Sequence, residues 1–401
     1  MNLTGRLAPV HWGSFRVTLR TMKVTLLHPW HKEAGARFAP FAGYDMPIQY
    51  KTGAVEEHRL CRRSAGLFDI DHMGQFTFSG KGAGEALSSL VSGAILDMKP
   101  GDARYNLLLN ERGGVIDDLF IYRLEEGAPD SPGADPWFVV VNAGNREEDF
   151  LWFKEHLPRG ITLRDISEET YMIALQGPRA VELLDRLAEK DPDGTGPVST
   201  MRRSTMKRIT LGGIPIRAGR TGYTGEDGAE LYYGADRALT LWETLLTEAK
   251  ALNIELGPIG LAARDSLRFE AGMPLHGHEI SPDISPLEAL LSWACDFTKE
   301  FTGKAALRAQ KTAGLTRKLA TVTVSGGVPR EGYRVLNSGG AAIGTVAAGM
   351  FCPTAGTYSA NVFVPPEYAI PGTKLAVEIR GLPKEAEVVR RPLYVPVYRR
   401  S

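Results

Sequence analysis

Two adjacent carboxylates, Asp117 and Asp118, sit inside the apolar run Gly113-Gly-Val-Ile-Asp-Asp-Leu-Phe-Ile. The run reads as a strand entered from a turn at Asn110-Glu-Arg-Gly113-Gly114. Neighbours on a strand point to opposite faces, so one acid faces inward or both line a cavity. An inward carboxylate with no obvious Lys or Arg beside it has a poised protonation state, which suits proton transfer. An edge strand or a bulge would account for the pair equally well. A second candidate is Arg220-Thr-Gly222-Tyr-Thr-Gly225-Glu-Asp-Gly228-Ala-Glu230. Its glycines allow tight turns that bring backbone close to a ligand and aim Tyr223 and Glu230, although an ordinary hairpin loop has the same composition. The third is 260–272, which reads as a helix. Arg264 near its start suits carboxylate recognition, and Asp265 and Arg268 are spaced as a surface pair would be.

Other motifs are weaker. Gly80-Lys-Gly82-Ala-Gly84 follows a strand and opens a helix, where it could cradle a phosphate. It lacks the spacing of a dinucleotide or Walker loop, so a glycine-eased helix start is the plainer reading. His276 and His278 would share a face only if extended, and no carboxylate cluster completes a ligand set. No metal site is expected.

The elements that position these residues fall into a pattern that occurs twice. The first copy runs strand (75–78), helix from Gly80, strands at 104–109, 115–123 and 137–141, then a helix over about 145–157. Glu147, Glu148 and Asp149 lie in that helix's first turn, where the helix dipole favours acids. The second copy has a strand at 171–176, a helix starting at Gly177-Pro178, strands around 207–221 and 229–233, and a last helix from about Asp236. Gly80 matches Gly177, Ala83 matches Ala180, Leu87 matches Leu184 and Leu90 matches Leu187, all at one offset. Each copy reads as a ferredoxin-like α+β unit. Residues 253–315 are mixed. After about 316, short strands separated by Gly, Pro and Asn turns make an all-β barrel or sandwich. The expected organisation is an N-terminal extension over 1–21, two α+β subdomains within 22–312, and a β-barrel over 313–401.

Composition narrows the function classes. The 401 residues carry 47 basic and 47 acidic side chains, a balance that argues against a generic nucleic-acid binder. An apolar share of 43% with 23% charged residues fits a folded globular chain. No apolar run is long enough for a transmembrane helix, so no membrane role is expected. Cys61, Cys295 and Cys352 are far apart and form no Cys-x-x-Cys, which fits reduced thiols inside a cell. Residues 1–21 contain arginines and no acid, as a transit peptide would, or are a plain extension ahead of Met22. Arg390, Arg391, Arg399 and Arg400 form a basic C-terminal cluster that could meet an acidic partner or be a solvated tail.

An ordered series of motifs from about residue 25 to 398 resembles one family. The series begins with Phe41-Ala-Gly43-Tyr-Asp-Met46-Pro47, Glu56-Glu57-His58 and Gly66-Leu-Phe-Asp69-Ile-Asp-His72-Met73-Gly74. It continues with 110–118, Val141-Asn142-Ala143, Gln176-Gly-Pro178, 222–230 and 264–272. It closes with Ile284-Ser-Pro286-Leu-Glu288, Phe301-Thr-Gly303-Lys304 and Phe351-Cys-Pro353-Thr354. The family is the aminomethyltransferase (T-protein) of the glycine cleavage system. The resemblance implies two α+β units and a C-terminal β-barrel around a central folate site. It places the catalytic acid on Asp117, the folate-contacting acid on Glu230 and the folate-binding arginine on Arg264. Tyr105, Asn142, Tyr223 and Met73 match positions lining the pterin pocket, and a terminal contact falls on Tyr398. Two departures stand out: Asp71 where the family more often has Ser, and Ala347-Ala-Gly-Met-Phe-Cys352-Pro353 in the barrel.

The implied activity is transfer of a one-carbon unit from an aminomethyl-lipoyl carrier, the H-protein, to tetrahydrofolate as co-substrate. Ammonia is released and 5,10-methylenetetrahydrofolate forms. No metal is needed. Such an enzyme sits in the cytoplasm of a bacterium or the mitochondrial matrix of a eukaryote, the cytoplasm being preferred here. Two alternatives share the scaffold. One is another folate-dependent demethylase or one-carbon transferase. The other is a non-enzymatic folate-binding iron–sulfur assembly factor, whose motif carries a Cys that Lys299-Glu-Phe301-Thr-Gly303-Lys304 lacks.

Overall fold

The computed structural model describes residues 22–127, 133–189, 196–396 and 398, so the 1–21 extension lies outside the described residues. An N-terminal segment supplies α1 (His28–Glu33), a hairpin of β1 (Arg37–Phe41) and β2 (Tyr44–Gln49), α2 (Ala54–Arg63) and β3 (Ala65–Asp69). The first α+β unit follows: β4 (Gly74–Ser79), α3 (Ala83–Leu90), β5 (Ala103–Leu109), β6 (Val115–Arg123), β7 (Trp137–Val141), α4 (Arg146–His156) and β8 (Thr162–Asp165). The second has β9 (Thr170–Gln176), α5 (Ala180–Leu187), β10 (Met206–Leu211), β11 (Ile214–Gly219), β12 (Gly228–Gly234), α6 (Ala238–Ala251) and β13 (Leu256–Pro258). The single strand expected over 207–221 is thus a hairpin, β10–β11, folded at Gly212 and Gly213, both with positive φ.

The repeat is visible in the sheets. The first is ordered β5-β6-β7-β4-β8 and the second β10-β11-β12-β9-β3-β13. The strands β5, β6, β7 and β4 correspond in order to β10, β11, β12 and β9. The ferredoxin-like frame carries an extra edge strand in each unit, and β3 from the N-terminal segment enters the second. Period-2 alternation gives each sheet two apolar faces. One face of the first sheet packs under α3 and α4 through Phe76, Phe78, Leu87, Leu119, Ile121, Val139 and Phe153. One face of the second packs under α5 and α6 around Leu183, Leu241, Trp242 and Leu231. The remaining faces meet through Phe68, Tyr122, Phe138, Val140, Met172 and Tyr232. The result is a helix–sheet–sheet–helix stack with a central layer between the sheets.

The chain then forms α7 (Leu261–Glu270), α8 (Lys304–Ala313) and the strands β14 (Lys318–Val324), β15 (Arg334–Leu336), β16 (Ala342–Cys352), β17 (Thr357–Val364), β18 (Lys374–Ile379) and β19 (Leu382–Val389). These six close into a barrel ordered β14-β17-β16-β15-β18-β19, with β14 also pairing β19. Charged networks join it to the rest. Glu270 of α7 accepts hydrogen bonds from the backbone N–H groups of Thr354 and Ala355, and its other oxygen lies 3.2 Å from His58 Nε2. Arg268, expected in a surface pair, is instead buried. It bonds Asp265 and Glu279 at 2.8 Å each, and Glu279 receives Asn361 Nδ2 from β17.

Candidate functional site

The site is built where the two sheets face each other. The acid pair lies on β6, which is central between β5 and β7 and not an edge. Its turn is fixed by Asn110, whose Oδ1 accepts the N–H groups of Arg112 and Gly114. Gly114 is required there, because a Cβ would meet Pro282 O at 1.9 Å. The register slips just after the turn: Leu109 faces Val115, while Leu108 already faces Asp117, which leaves Ile116 as the extra residue of a bulge. Beyond the bulge the alternation is regular.

Asp117 shares the parity of Leu119 and Ile121 and points toward the α3–α4 layer. It has no solvent exposure. Its carboxylate accepts the Asn142 N–H and Asn142 Nδ2, each at 2.9 Å, and Asn145 Nδ2 at 2.6 Å. Asp118 shares the parity of Phe120 and Tyr122, which face the central layer. It is half-buried. Its carboxylate accepts Tyr105 Oη at 3.0 Å and Asn142 Nδ2 at 2.7 Å. Burial, then the charge of Asp117, push the Asp118 carboxyl up to about 7. The assignment of chemistry to Asp117 therefore meets a geometric objection, since that side chain is enclosed on the helical side. The acid that faces the central layer is Asp118.

Glu230 comes from the facing sheet, on β12. Its Oε2 accepts Thr221 Oγ1 at 2.5 Å, Tyr232 Oη at 3.3 Å and Tyr122 Oη at 3.4 Å. Tyr122 belongs to β6, so its hydroxyl ties the two sheets at this point. All three contacts fall on one oxygen. Burial raises the Glu230 pKa, opposed by the Thr221 hydrogen bond and by the charge of Arg264. In the preceding loop, Gly222 leaves room for the buried Gln176 side chain, which a Cβ would meet at 2.0 Å. Tyr223 donates its hydroxyl to Pro274 O, and the Arg264 guanidinium stacks over its ring at 4.6 Å. Arg264 has no hydrogen-bonding acceptor among the described residues. Burial lowers its pKa, against the charges of Tyr223 and Glu230. Tyr223 in turn senses Asp118, as does Tyr105.

Asn142 and Met73 also come to the site, Asn142 by bridging both acids and Met73 by packing at the edge of the central apolar layer. Tyr398 lies under Arg203 at 3.4 Å, and Arg203 bonds Asp227, so its contact is with the flank of the 220–228 segment. Three neighbours were not read from sequence. Tyr105 stacks at 5.4 Å on Trp293, which is 68% exposed. Arg391 is half-buried, donates to Gly272 O at 2.7 Å and senses Glu279, Arg268, Tyr223 and Tyr105. It therefore does not belong to an exposed basic cluster, while Arg399 and Arg400 lie outside the described residues. His72 is buried edge-on to Phe41 and Tyr44, with both ring nitrogens unpartnered. Burial and the charge of Arg264 push it down to about 3, so it is neutral. The 80–84 glycines do start α3, and Asp135 Oδ2 already occupies the Gly84 N–H at 2.6 Å. Among the described residues no group of three His, Cys, Asp or Glu is placed to hold a metal ion.

Comparison with known proteins gives a consistent picture. The family model described as the GCVT N-terminal domain matches residues 27–299, and that described as the glycine cleavage T-protein C-terminal barrel domain matches 317–394. An aminomethyltransferase of Prosthecochloris aestuarii is 39% identical over 374 residues, 92% of this chain and 99% of the relative. An aminomethyltransferase of Synechococcus elongatus is 41% identical over 381 residues, 93% and 98% of the two chains. Among solved structures, the glycine cleavage system aminomethyltransferase T of Bartonella henselae superposes with a TM-score of 0.83 at 32% identity, over 94% of this chain and 99% of that one.

Proposed function

Because this chain belongs to the glycine cleavage T-protein family of aminomethyltransferases, we propose a specific division of labour in its central site. The acceptor is tetrahydrofolate and the donor an aminomethyl-lipoyl arm carried by the H-protein. The single observation that carries this reading is convergence. Glu230 from β12 and Arg264 from α7 sense each other's charge, Tyr223 senses both Arg264 and Asp118 of β6, and Tyr122 of β6 reaches Glu230 across the layer. A folate suits the unfilled valences there. One oxygen of Glu230 and the whole Arg264 guanidinium lack hydrogen-bonding partners among the described residues. A pterin ring offers N–H donors to the first, and an anionic or carbonyl group suits the second.

When bound, the folate supplies the nitrogens that take up the one-carbon unit. Asp118 stabilises positive charge that develops on those nitrogens. A carboxyl near pH 7 also accepts and returns a proton at little cost, as the departing amine and the lipoyl sulfur require. Tyr105 and Asn142 hold the carboxylate in place. Glu230 orients the ring, and Arg264 contributes binding. Met73 and Tyr223 line the ring pocket, and Tyr398 supports it from the 220–228 flank. Residues 22–312 are taken as the folate-binding region and 313–401 as the barrel domain. No helix of the described residues is long and apolar enough to cross a membrane, and the match to bacterial enzymes favours a cytoplasmic setting.

The test is ammonia release from aminomethyl-loaded carrier, with and without tetrahydrofolate. Strong folate dependence is expected. Equal rates in both would overturn the proposal.

A further inference from the structure

Asp149 is a buried acid close to the site that this mechanism leaves without a task. It lies in the first turn of α4, behind Asp117 as seen from the central layer. Glu147 and Glu148 beside it are exposed, but Asp149 has no solvent exposure. Neither of its oxygens receives an N–H or O–H from any described residue. What its carboxyl does meet is the carboxyl of Asp117, within hydrogen-bond reach.

Two buried carboxyls in contact cannot both be charged, so the pair must hold a proton between them. The donors decide which keeps it. Asp117 receives three N–H groups, which favour its anion. Asp149 receives none, so the proton stays on Asp149 and is donated to Asp117. Burial, then the charge of Asp117, push Asp149 up to about 11. The charged Asp117 in turn fixes the Asn142 amide. Only its Nδ2 end can face Asp117 Oδ1, and the same nitrogen then grips Asp118 Oδ1.

We propose that Asp149 is a positioning residue for the transfer reaction: as a neutral acid it donates to Asp117, and through Asp117 and Asn142 it sets the orientation and basicity of Asp118. The inference rests on the reading of Asp118 as the working acid. The ionisable groups acting on Asp149 are Asp117 and Asp118 from β6 and Glu148 from its own helix. Those acting on Asp118 include Asp117 and Tyr105, and Tyr223 senses it from the glycine loop.

The experiment compares the full chain with Asp149→Leu, Asp149→Asn and Asp118→Asn, using aminomethyl-loaded carrier and tetrahydrofolate. Asp149→Leu removes the O–H donor. Its kcat is expected to fall about tenfold or more with folate KM within about threefold, as for other supporting-residue losses. Its acid limb should move to higher pH, because Asp117 then presents its full charge to Asp118. Asn keeps an N–H donor, so Asp149→Asn should restore most of the turnover and the original limb. Parental kcat and pH profile in Asp149→Leu would overturn the inference, as would equal damage from Leu and Asn. Asp118→Asn separates the two levels. If it keeps parental turnover and limb, the underlying reading fails. If it loses the limb while Asp149→Leu keeps it, only the role of Asp149 fails. Should Asp149→Leu not fold, infrared difference spectra at pH 8 decide. A protonated-carboxyl C=O band present in the unsubstituted protein and missing from Asp149→Asn is expected; no such band overturns the inference.

Discussion

At the scale of residues, Asp117 and Asp118 are chemically identical and differ only in what their faces meet. Three N–H donors hold the Asp117 carboxyl in place. Replacing it with Asn removes acceptor capacity that those donors need, and a buried unsatisfied donor costs about 1–3 kcal/mol. Asp117→Asn should therefore lower stability by that order in urea unfolding. Asp118→Asn should lower kcat by roughly 10²–10⁴-fold, the usual range for a lost acid–base group. Its effect on stability has the opposite sign. An unfolded Asp releases its proton near pH 4, whereas Asp118 in the fold does so at about 7. Across that window the folded protein holds the extra proton, so this group's contribution to stability falls as pH rises and is lowest above 7. Asp118→Asn should raise Tm at pH 8, and less at pH 5, by calorimetry. Arg264→Ala should raise folate KM before it touches kcat; a fall in kcat alone would contradict a binding role. The acid pair was legible in the sequence as an opposed pair, but which acid faces the helices and which the central layer was left open there. A usable signal was there: Asp117 alternates with Leu119 and Ile121, Asp118 with Phe120 and Tyr122. The aliphatic set suits a face under helices, and the aromatic set, with the Tyr122 hydroxyl, suits a site.

At the scale of elements, the β5–β6 hairpin and the start of α4 both carry local compromises. Gly114→Ala would drive a methyl into Pro282 O and shift the bulge that sets the parity of both acids. It should cost both stability and turnover, whereas Gly127→Ala, with open space around its Cα, is expected to leave turnover intact in the same assay. Helix α4 begins at Asn145, yet Asn145 makes no capping hydrogen bond with its side chain. That side chain reaches Ile116 O and Asp117 instead. Cap and dipole rules locate the helix from sequence, and they explain the exposed Glu147 and Glu148. They miss Asp149, because one residue further round the helix turns the side chain inward. The strands of the repeat were legible from alternation. The turn inside 207–221 was legible too, because Gly212-Gly213 lies between two alternating runs, which is the pattern of a two-residue hairpin.

At the scale of the whole molecule, two sheets face one another while a barrel is held against them. Arg268 and Glu279 are central to that assembly, both nearly free of solvent. Removing one partner of a buried pair costs about 3–5 kcal/mol. Arg268→Met should destabilise by that order, and Glu279→Gln added to it should recover part, as denaturant titration would read. Spacing alone could not reveal this, because an i,i+3 Asp–Arg pair looks the same on a surface. The position of β3 has a different consequence. It sits between β9 and β13, so residues 74–165 interrupt a sheet whose first strand has already been made. The interruption enters and leaves side by side, since β4 pairs with β8. On a ribosome the first unit can close its own core while β3 waits, unpaired, for strands that emerge about a hundred residues later. Pulse-labelled hydrogen exchange during refolding should find amides of β4 and β7 protected before those of β3. The layer between the sheets thus cannot exist until the late sheet docks onto the early one.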